Sequence, residues 1–182
     1  MRDFTKGNPM KQILLFMLPI LIGNVLQLTY SLVDTRVVGS VLGDTALAAV
    51  GATTSLSTLV IGFLQGLTNG FAVIVARFFG AGDEQGLRRS VAASSVLSLG
   101  VSLILTVLSI VFLHRIFAVL HIGSDIYALS YEYIVVIFAG MTVSMLYNLC
   151  AAMLRAIGDS VTPLIFLAVS VVLNIFGDLF CI

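Results

Sequence analysis

Charge is scarce in this chain. Only 10% of its 182 residues are Asp, Glu, Lys or Arg, against 59% hydrophobic. A soluble domain carries about 25% charged residues, so the composition is that of a membrane protein. The nine basic and nine acidic residues cancel and no phosphate-gathering basic tract occurs, so nothing points to nucleic acid as a partner. Cysteine is nearly absent. Cys150 and Cys181 lie in apolar stretches with no Cys or His at metal-ligand spacing, which argues against a disulfide framework or a zinc site. No G-x-S-x-G nucleophile motif is present, and His114 and His121 lie outside the apolar runs, which argues against an intramembrane enzyme. A leader pattern is missing too. The N-terminus is basic and then apolar, but its run exceeds the roughly 7 to 15 residues of a signal h-region and no A-x-A cleavage pattern stands directly after it. It is expected to be a retained first span.

A helix needs about 20 apolar residues to cross a bilayer. Five segments qualify, at roughly 12–34, 46–76, 90–113, 126–153 and 162–182. Between them, "TRVVGSVLGD", "RFFGAGDEQGLRRS", "HRIFAVLHIGS" and "RAIGDSVTP" carry the Gly, Pro, Asp and Ser that mark turns. The fold class predicted is all-α, a polytopic transmembrane bundle of hairpins. With the N-terminus inside, Arg2, Lys6, Lys11, Arg77, Arg88, Arg89 and Arg155 are cytoplasmic and only Arg36 and Arg115 are outside, as the positive-inside rule requires. In "GFLQGLTNG", Gly62, Gly66 and Gly70 recur every fourth residue, which predicts a face that a neighbouring backbone approaches closely.

Polar residues fall on stripes. Asn24, Gln27, Ser31 and Asp34 lie at helical spacing within roughly 80° of one another on the first span. Ser170, Asn174 and Asp178 repeat the device on the fifth span, and Ser144, Asn148 and Arg155 share a face of the fourth. Ionisable groups in a bilayer cost roughly 2.5 to 3.5 kcal/mol on insertion scales and normally face a bundle interior or a water-filled cavity. Asp178 stands about 15 residues beyond Pro163, roughly 22 Å, which is within a hydrocarbon core of about 30 Å. Asp34 is equally far beyond Pro19 in a span running the same way, so the two carboxylates are expected at similar depth, in reach of one cavity. For Asp34 an interfacial placement beside Arg36 also fits. Glu132, Tyr133, His114 and His121 receive no role.

The motifs "LTYSLVDTRVVGSVLGDTALAAVGA", "GLTNGFAVIVARFFGAGD", "LRAIGDSVTPL" and "LNIFGDLFCI", with the N-terminal "FTKGNPMKQILLFMLPILIGN", together resemble the bacterial multidrug and toxic compound extrusion (MATE) transporters. The resemblance runs along essentially the whole chain in the right order. It implies twelve helices in two six-helix lobes around a V-shaped cavity. Residues 1–182 would be the N-terminal transmembrane lobe, with the sixth helix and C-terminal lobe, needed for function, absent. It further implies secondary active export of amphiphilic, cationic small molecules across the cell membrane, without a cofactor, coupled to inward flow of protons or sodium ions. By the same resemblance the coupling site falls on Asp34, Asn174 and Asp178, which would be the ligands if sodium is bound. Asn148 matches the asparagine upstream of the family's R-x-x-G-D. Asn24, Gln27, Ser31, Ser144, Asn148 and Ser170 are the candidate cavity lining. Two alternatives stay open: a lipid-linked precursor flippase of the same superfamily, which would want several basic residues in its cavity, and a non-transporting membrane remnant or scaffold.

Overall fold

The computed structural model describes residues 9–41 and 43–181, the side chains of Pro9, Val38 and residues 178–181 excepted. It contains five helices: α1 (Pro9–Val41), α2 (Gly43–Gly80), α3 (Glu84–Val119), α4 (Tyr127–Ala156) and α5 (Val161–Cys181). In hydrocarbon the backbone must satisfy its own hydrogen bonds, and these continuously apolar segments do so as helices. The helices α1 to α4 are each long and apolar enough to cross a membrane. At 33, 38 and 36 residues, α1, α2 and α3 reach roughly 50 Å or more, well beyond a core of about 30 Å.

The helices outrun the spans read from the sequence, most of all at the first turn. "TRVVGSVLGD" is expected to be a connection, yet α1 continues to Val41 and α2 begins at Gly43, so Asp34 and Arg36 both lie on helix. No proline interrupts this stretch, and Gly39 leaves room for Leu47, whose Cδ2 would stand 3.3 Å from a Cβ built there. The turn itself is made where Gly43 takes a φ of +82°, a conformation that costs glycine nothing.

The two connections at the opposite end share one construction. Asp83 N–H donates to Phe78 C=O at 3.1 Å and Asp159 N–H to Leu154 C=O at 2.9 Å, and each follows a left-handed glycine, Gly82 or Gly158. These are helix-closing bonds that reach back over the last turn. Each aspartate then starts the next helix. Asp83 Oδ1 accepts from Gly86 N–H at 2.9 Å, and Asp159 Oδ1 accepts from Val161 and Thr162 N–H at 3.1 and 3.0 Å.

The core lies where α4 packs against α2 and α3. Leu64, Leu113, Phe117, Ile134, Phe138, Met141 and Met145 form one buried cluster. Close approach comes from small residues every fourth position, Ala49, Thr53 and Ser57 on α2 and Ser94, Ser98 and Ser102 on α3, all buried. Hydroxyls in this environment bond back to their own helix, as Thr53 Oγ1 does to Ala49 C=O at 3.0 Å and Ser57 Oγ to Thr53 C=O at 3.0 Å. Thr106 Oγ1 instead donates across to Phe138 C=O of α4 at 3.3 Å.

The expected glycine face does not pack. Gly62, Gly66 and Gly70 are exposed, and a Cβ at any of them would meet no described atom within 4 Å. The reason is angular: α2 buries the side that carries Leu64 and Thr68, and Gly66 lies about 200° around the helix from Leu64. Outward-facing residues elsewhere are large and apolar. Leu59, Val73, Val96, Val111 and Val136 are each at least two-thirds exposed, an unfavourable surface in water and the natural one against lipid tails.

Candidate functional site

Four of the helices form a closed ring. α1 packs on α2, α2 on α4, α4 on α5 and α5 on α1, while neither diagonal pair, α1 with α4 or α2 with α5, is in contact among the described residues. Helices that meet their neighbours but not across the diagonal leave a space between them, and here it is open to the outside, since Asn24, Gln27, Gln65, Asn69 and Ser144 on its walls are exposed. Here the space is a cavity of about 770 Å³, within the range of roughly 300 to 1,000 Å³ usual for small-molecule sites.

Its walls are polar on every side. Asn24 and Gln27 enter from α1; Gln65, Thr68 and Asn69 from α2; Ser144, Tyr147, Asn148 and Arg155 from α4; Ser170 from α5; and Ser160 from the connection before α5. Apolar surface between them comes from Ile20, Ile61, Val143, Leu164 and Leu167. The order of lining residues reflects the hairpins: Pro19 of α1, Asn69 of α2, Arg155 of α4 and Pro163 of α5 belong to one end, and Gln27, Ile61, Val143 and Ser170 to the other.

The carboxamides are available for ligand or water. Among the described residues the side chains of Asn24, Gln27, Gln65 and Asn69 make no hydrogen bond within the protein. Asn148 Nδ2 donates to Ser144 C=O at 2.8 Å and Ser170 Oγ to Phe166 C=O at 2.9 Å, which leaves an oxygen on each side chain free to accept. Arg155 is the one charged residue on the described lining. It is half-buried, and its charge acts on the phenol of Tyr147, two turns back along the same face of α4.

Of the sequence candidates, Asn24, Gln27, Ser144, Asn148 and Ser170 stand on this lining and Ser31 does not. The cavity reaches Gln27 and stops short of the next turn of α1, about 6 Å further on. Asp34 lies beyond it, half-buried, with its charge acting on the phenol of Tyr133 of α4. Asn174 stands one turn past Ser170 on α5, and its Oδ1 is buried with no hydrogen-bond partner among the described residues. Asp178 continues that helix, but its side chain lies outside the described residues, as do Arg2 and Lys6 altogether.

Sequence reasoning missed Gln65, Thr68 and Asn69, which sit in the "GFLQGLTNG" segment read for its glycines. The signal was there in the four-residue spacing of Gln65 and Asn69. Tyr147 and Tyr133 carried no such signal, because a tyrosine on an apolar helix looks the same whether it faces lipid, core or a cavity.

Known proteins share this arrangement. The chain is 34% identical over 172 residues to "Probable multidrug resistance protein YpnP" of Bacillus subtilis (strain 168), a match that takes in 94% of this chain and 39% of that protein. It is 27% identical over 179 residues to the multidrug export protein MepA of Staphylococcus aureus (strain NCTC 8325 / PS 47), covering 96% of this chain and 39% of that one. This chain thus spans about two fifths of the length of the curated relatives it matches. Among solved structures, it superposes on a MOP superfamily transporter from Pyrococcus furiosus with a TM-score of 0.88 at 29% identity, over 94% of this chain and 38% of that one. For an outward-facing multidrug resistance MATE family transporter the TM-score is 0.84 at 29% identity, with the same coverages. The family model MatE matches residues 19–180, which takes in α2, α3 and α4 whole, most of α1 and α5, and every residue of the described cavity lining; the chain belongs to the MatE family.

Proposed function

We propose that this chain works in a secondary active multidrug efflux antiporter that exchanges amphiphilic small molecules, cationic ones included, for protons or sodium ions flowing inward. The observation that carries the reading is the ring of α1, α2, α4 and α5 around a cavity lined by carboxamides, those of Asn24, Gln27, Gln65 and Asn69 without protein partners among the described residues. Such groups bind diverse amphiphiles because they both donate and accept, while the apolar surface between them takes the rest of the molecule. Alternating access is the rocking of one repeat against another. Export is therefore proposed for an assembly in which a second lobe, or a second copy, faces this one.

Coupling is assigned to Asp34, Asn174 and Asp178, with no other cofactor. α1 and α5 pack against each other and, by the hairpin order, run the same way; a Cβ on Gly23 would meet Leu164 and Leu167. About eleven residues, or roughly 16 Å, further along both helices come Asp34 and Asp178, so their backbones stand at one height. A buried acceptor with no donor, as at Asn174 Oδ1, is costly unless a ligand, cation or water supplies the missing partner. A proton or sodium ion between these side chains would meet that need. The site lies in the cell membrane with the N-terminus inside, the orientation that makes Lys11, Arg77, Arg88, Arg89 and Arg155 cytoplasmic.

The experiment is export of a cationic dye by everted membrane vesicles carrying the complete transporter, under an imposed proton or sodium gradient. Asp178→Asn and Asp34→Asn are each expected to abolish gradient-driven export while leaving insertion intact, because the amide keeps the shape and removes the charge. Asp44→Asn and Asp125→Asn, far from the cavity lining, are expected to change little. Export by Asp178→Asn at the parent rate would show that the acid is structural.

A further inference from the structure

Cation handling is assigned above to Asp34, Asn174 and Asp178, which leaves the one charged residue of the described cavity lining without a task. Arg155 ends α4 beside Ser160 and Pro163. No carboxylate forms an ion pair with it among the described residues. Asp159, four residues on, is engaged elsewhere: its Oδ1 accepts from the Val161 and Thr162 N–H groups and its Oδ2 from Thr162 Oγ1 at 2.6 Å. The other polar groups of the cavity are neutral carboxamides, hydroxyls and one phenol. The described lining is thus net positive.

A half-buried guanidinium without a carboxylate partner keeps its N–H donors free for a ligand. Its planar fork of N–H donors matches a carboxylate or phosphate in paired hydrogen bonds. Apolar wall rises from it along Leu164 and Leu167 of α5 and Ile20 of α1 toward Ile61 and Val143. We propose that this cavity binds an amphiphile head-first, with a single anionic group, carboxylate or phosphate, held by Arg155 and its apolar body lying along that wall. The ligand is the headgroup of an anionic lipid or a free anionic amphiphile, since both present the same chemistry to Arg155. Anion binding at Arg155 requires no export, so it can be tested by binding alone.

The test titrates dansyl-undecanoic acid, its methyl ester and the corresponding primary amine, by fluorescence, into the 182-residue chain in phosphatidylcholine nanodiscs. The acid is expected to bind about tenfold more tightly than either neutral ester or amine at low salt, with the preference shrinking as salt rises. Arg155→Gln is expected to bring acid and ester within about twofold of each other, and Arg155→Lys to keep part of the preference, as a charge without the fork. Replacing part of the phosphatidylcholine by phosphatidic acid separates the sources. Displacement of the dansyl acid identifies a lipid headgroup, and unchanged binding a free amphiphile. Equal binding of acid and ester by the parent chain, tighter binding of the amine, or an Arg155→Gln variant that keeps the full preference overturns the proposal. If Arg155→Gln folds poorly, the comparison of the three probes on the parent chain decides without it. No transport is measured, so the outcome is independent of the Asp34 and Asp178 experiments.

Discussion

Gly23 of α1 is buried against Leu167 of α5: a Cβ built on the glycine would stand 3.4 Å from Leu167 Cδ2 and 3.6 Å from Leu164 Cδ1. That is ordinary van der Waals contact, with room for one methyl and nothing longer. Gly23→Ala is expected to be neutral or to stabilise by up to about 1 kcal/mol through helix propensity. Gly23→Leu is expected to cost about 1 to 3 kcal/mol by overpacking, because it forces apart two helices that wall the cavity. Thermal unfolding of the detergent-solubilised protein measures both, and a Leu variant as stable as the parent would mean that α1 and α5 do not pack this closely.

The two small-residue stripes should respond in opposite ways. Ser98 is fully buried on α3, whereas Gly66 on α2 is exposed with no described atom near its Cβ position. Ser98→Leu is expected to destabilise by about 1 to 3 kcal/mol, and Gly66→Leu to leave the stability of this chain unchanged or slightly raised. Equal losses at the two positions in thermal unfolding would reject the assignment of faces.

Those stripes show where the sequence is readable and where it is not. The five helices follow from apolar run length alone, since a bilayer leaves the backbone few other choices. Spacing also placed Asn24 with Gln27 and Ser144 with Asn148 on shared faces, because a helix fixes angle from sequence number. Spacing cannot tell which face meets a neighbour. Gly66 and Ser98 sit on stripes of the same period, and only packing distinguishes them. The end of α1 was illegible for a related reason: residues 35–41 hold no proline and no long polar run, so nothing local marks a stop before the left-handed Gly43.

Membrane orientation is testable on the hairpins themselves. In a background with Cys150 and Cys181 replaced by Ala, cysteines introduced at Ser90, near the start of α3, and at Thr45, near the start of α2, stand at opposite ends of the bundle. With Arg88 and Arg89 cytoplasmic, an impermeant thiol reagent applied to whole cells is expected to label the Thr45 position and spare Ser90. Equal labelling, or the reverse, would overturn the N-inside assignment.

Acid should weaken the start of α5 through one side chain. Asp159 lies in the connection between α4 and α5, and hydrogen bonds hold its carboxyl below the ordinary aspartate range. The largest effect comes from the Thr162 hydroxyl, with the Thr162 and Val161 N–H groups adding to it. A group whose folded pKa is depressed contributes its full stabilisation above the unfolded value, near 3.9 for aspartate. It loses that contribution as pH falls from there through the lower folded value. Thermal unfolding followed from pH 6 down to pH 3 is therefore expected to show a loss in the parent below about pH 4 that Asp159→Asn lacks, since the amide still caps the helix but does not ionise in this range. Thr162→Val, without the hydroxyl donor, is expected to show a smaller loss than the parent. At neutral pH, Asp159→Ala is expected to cost about 1 kcal/mol as a lost helix cap. If the Asp159→Asn curve runs parallel to the parent from pH 5 to pH 3, the carboxylate does not hold the turn.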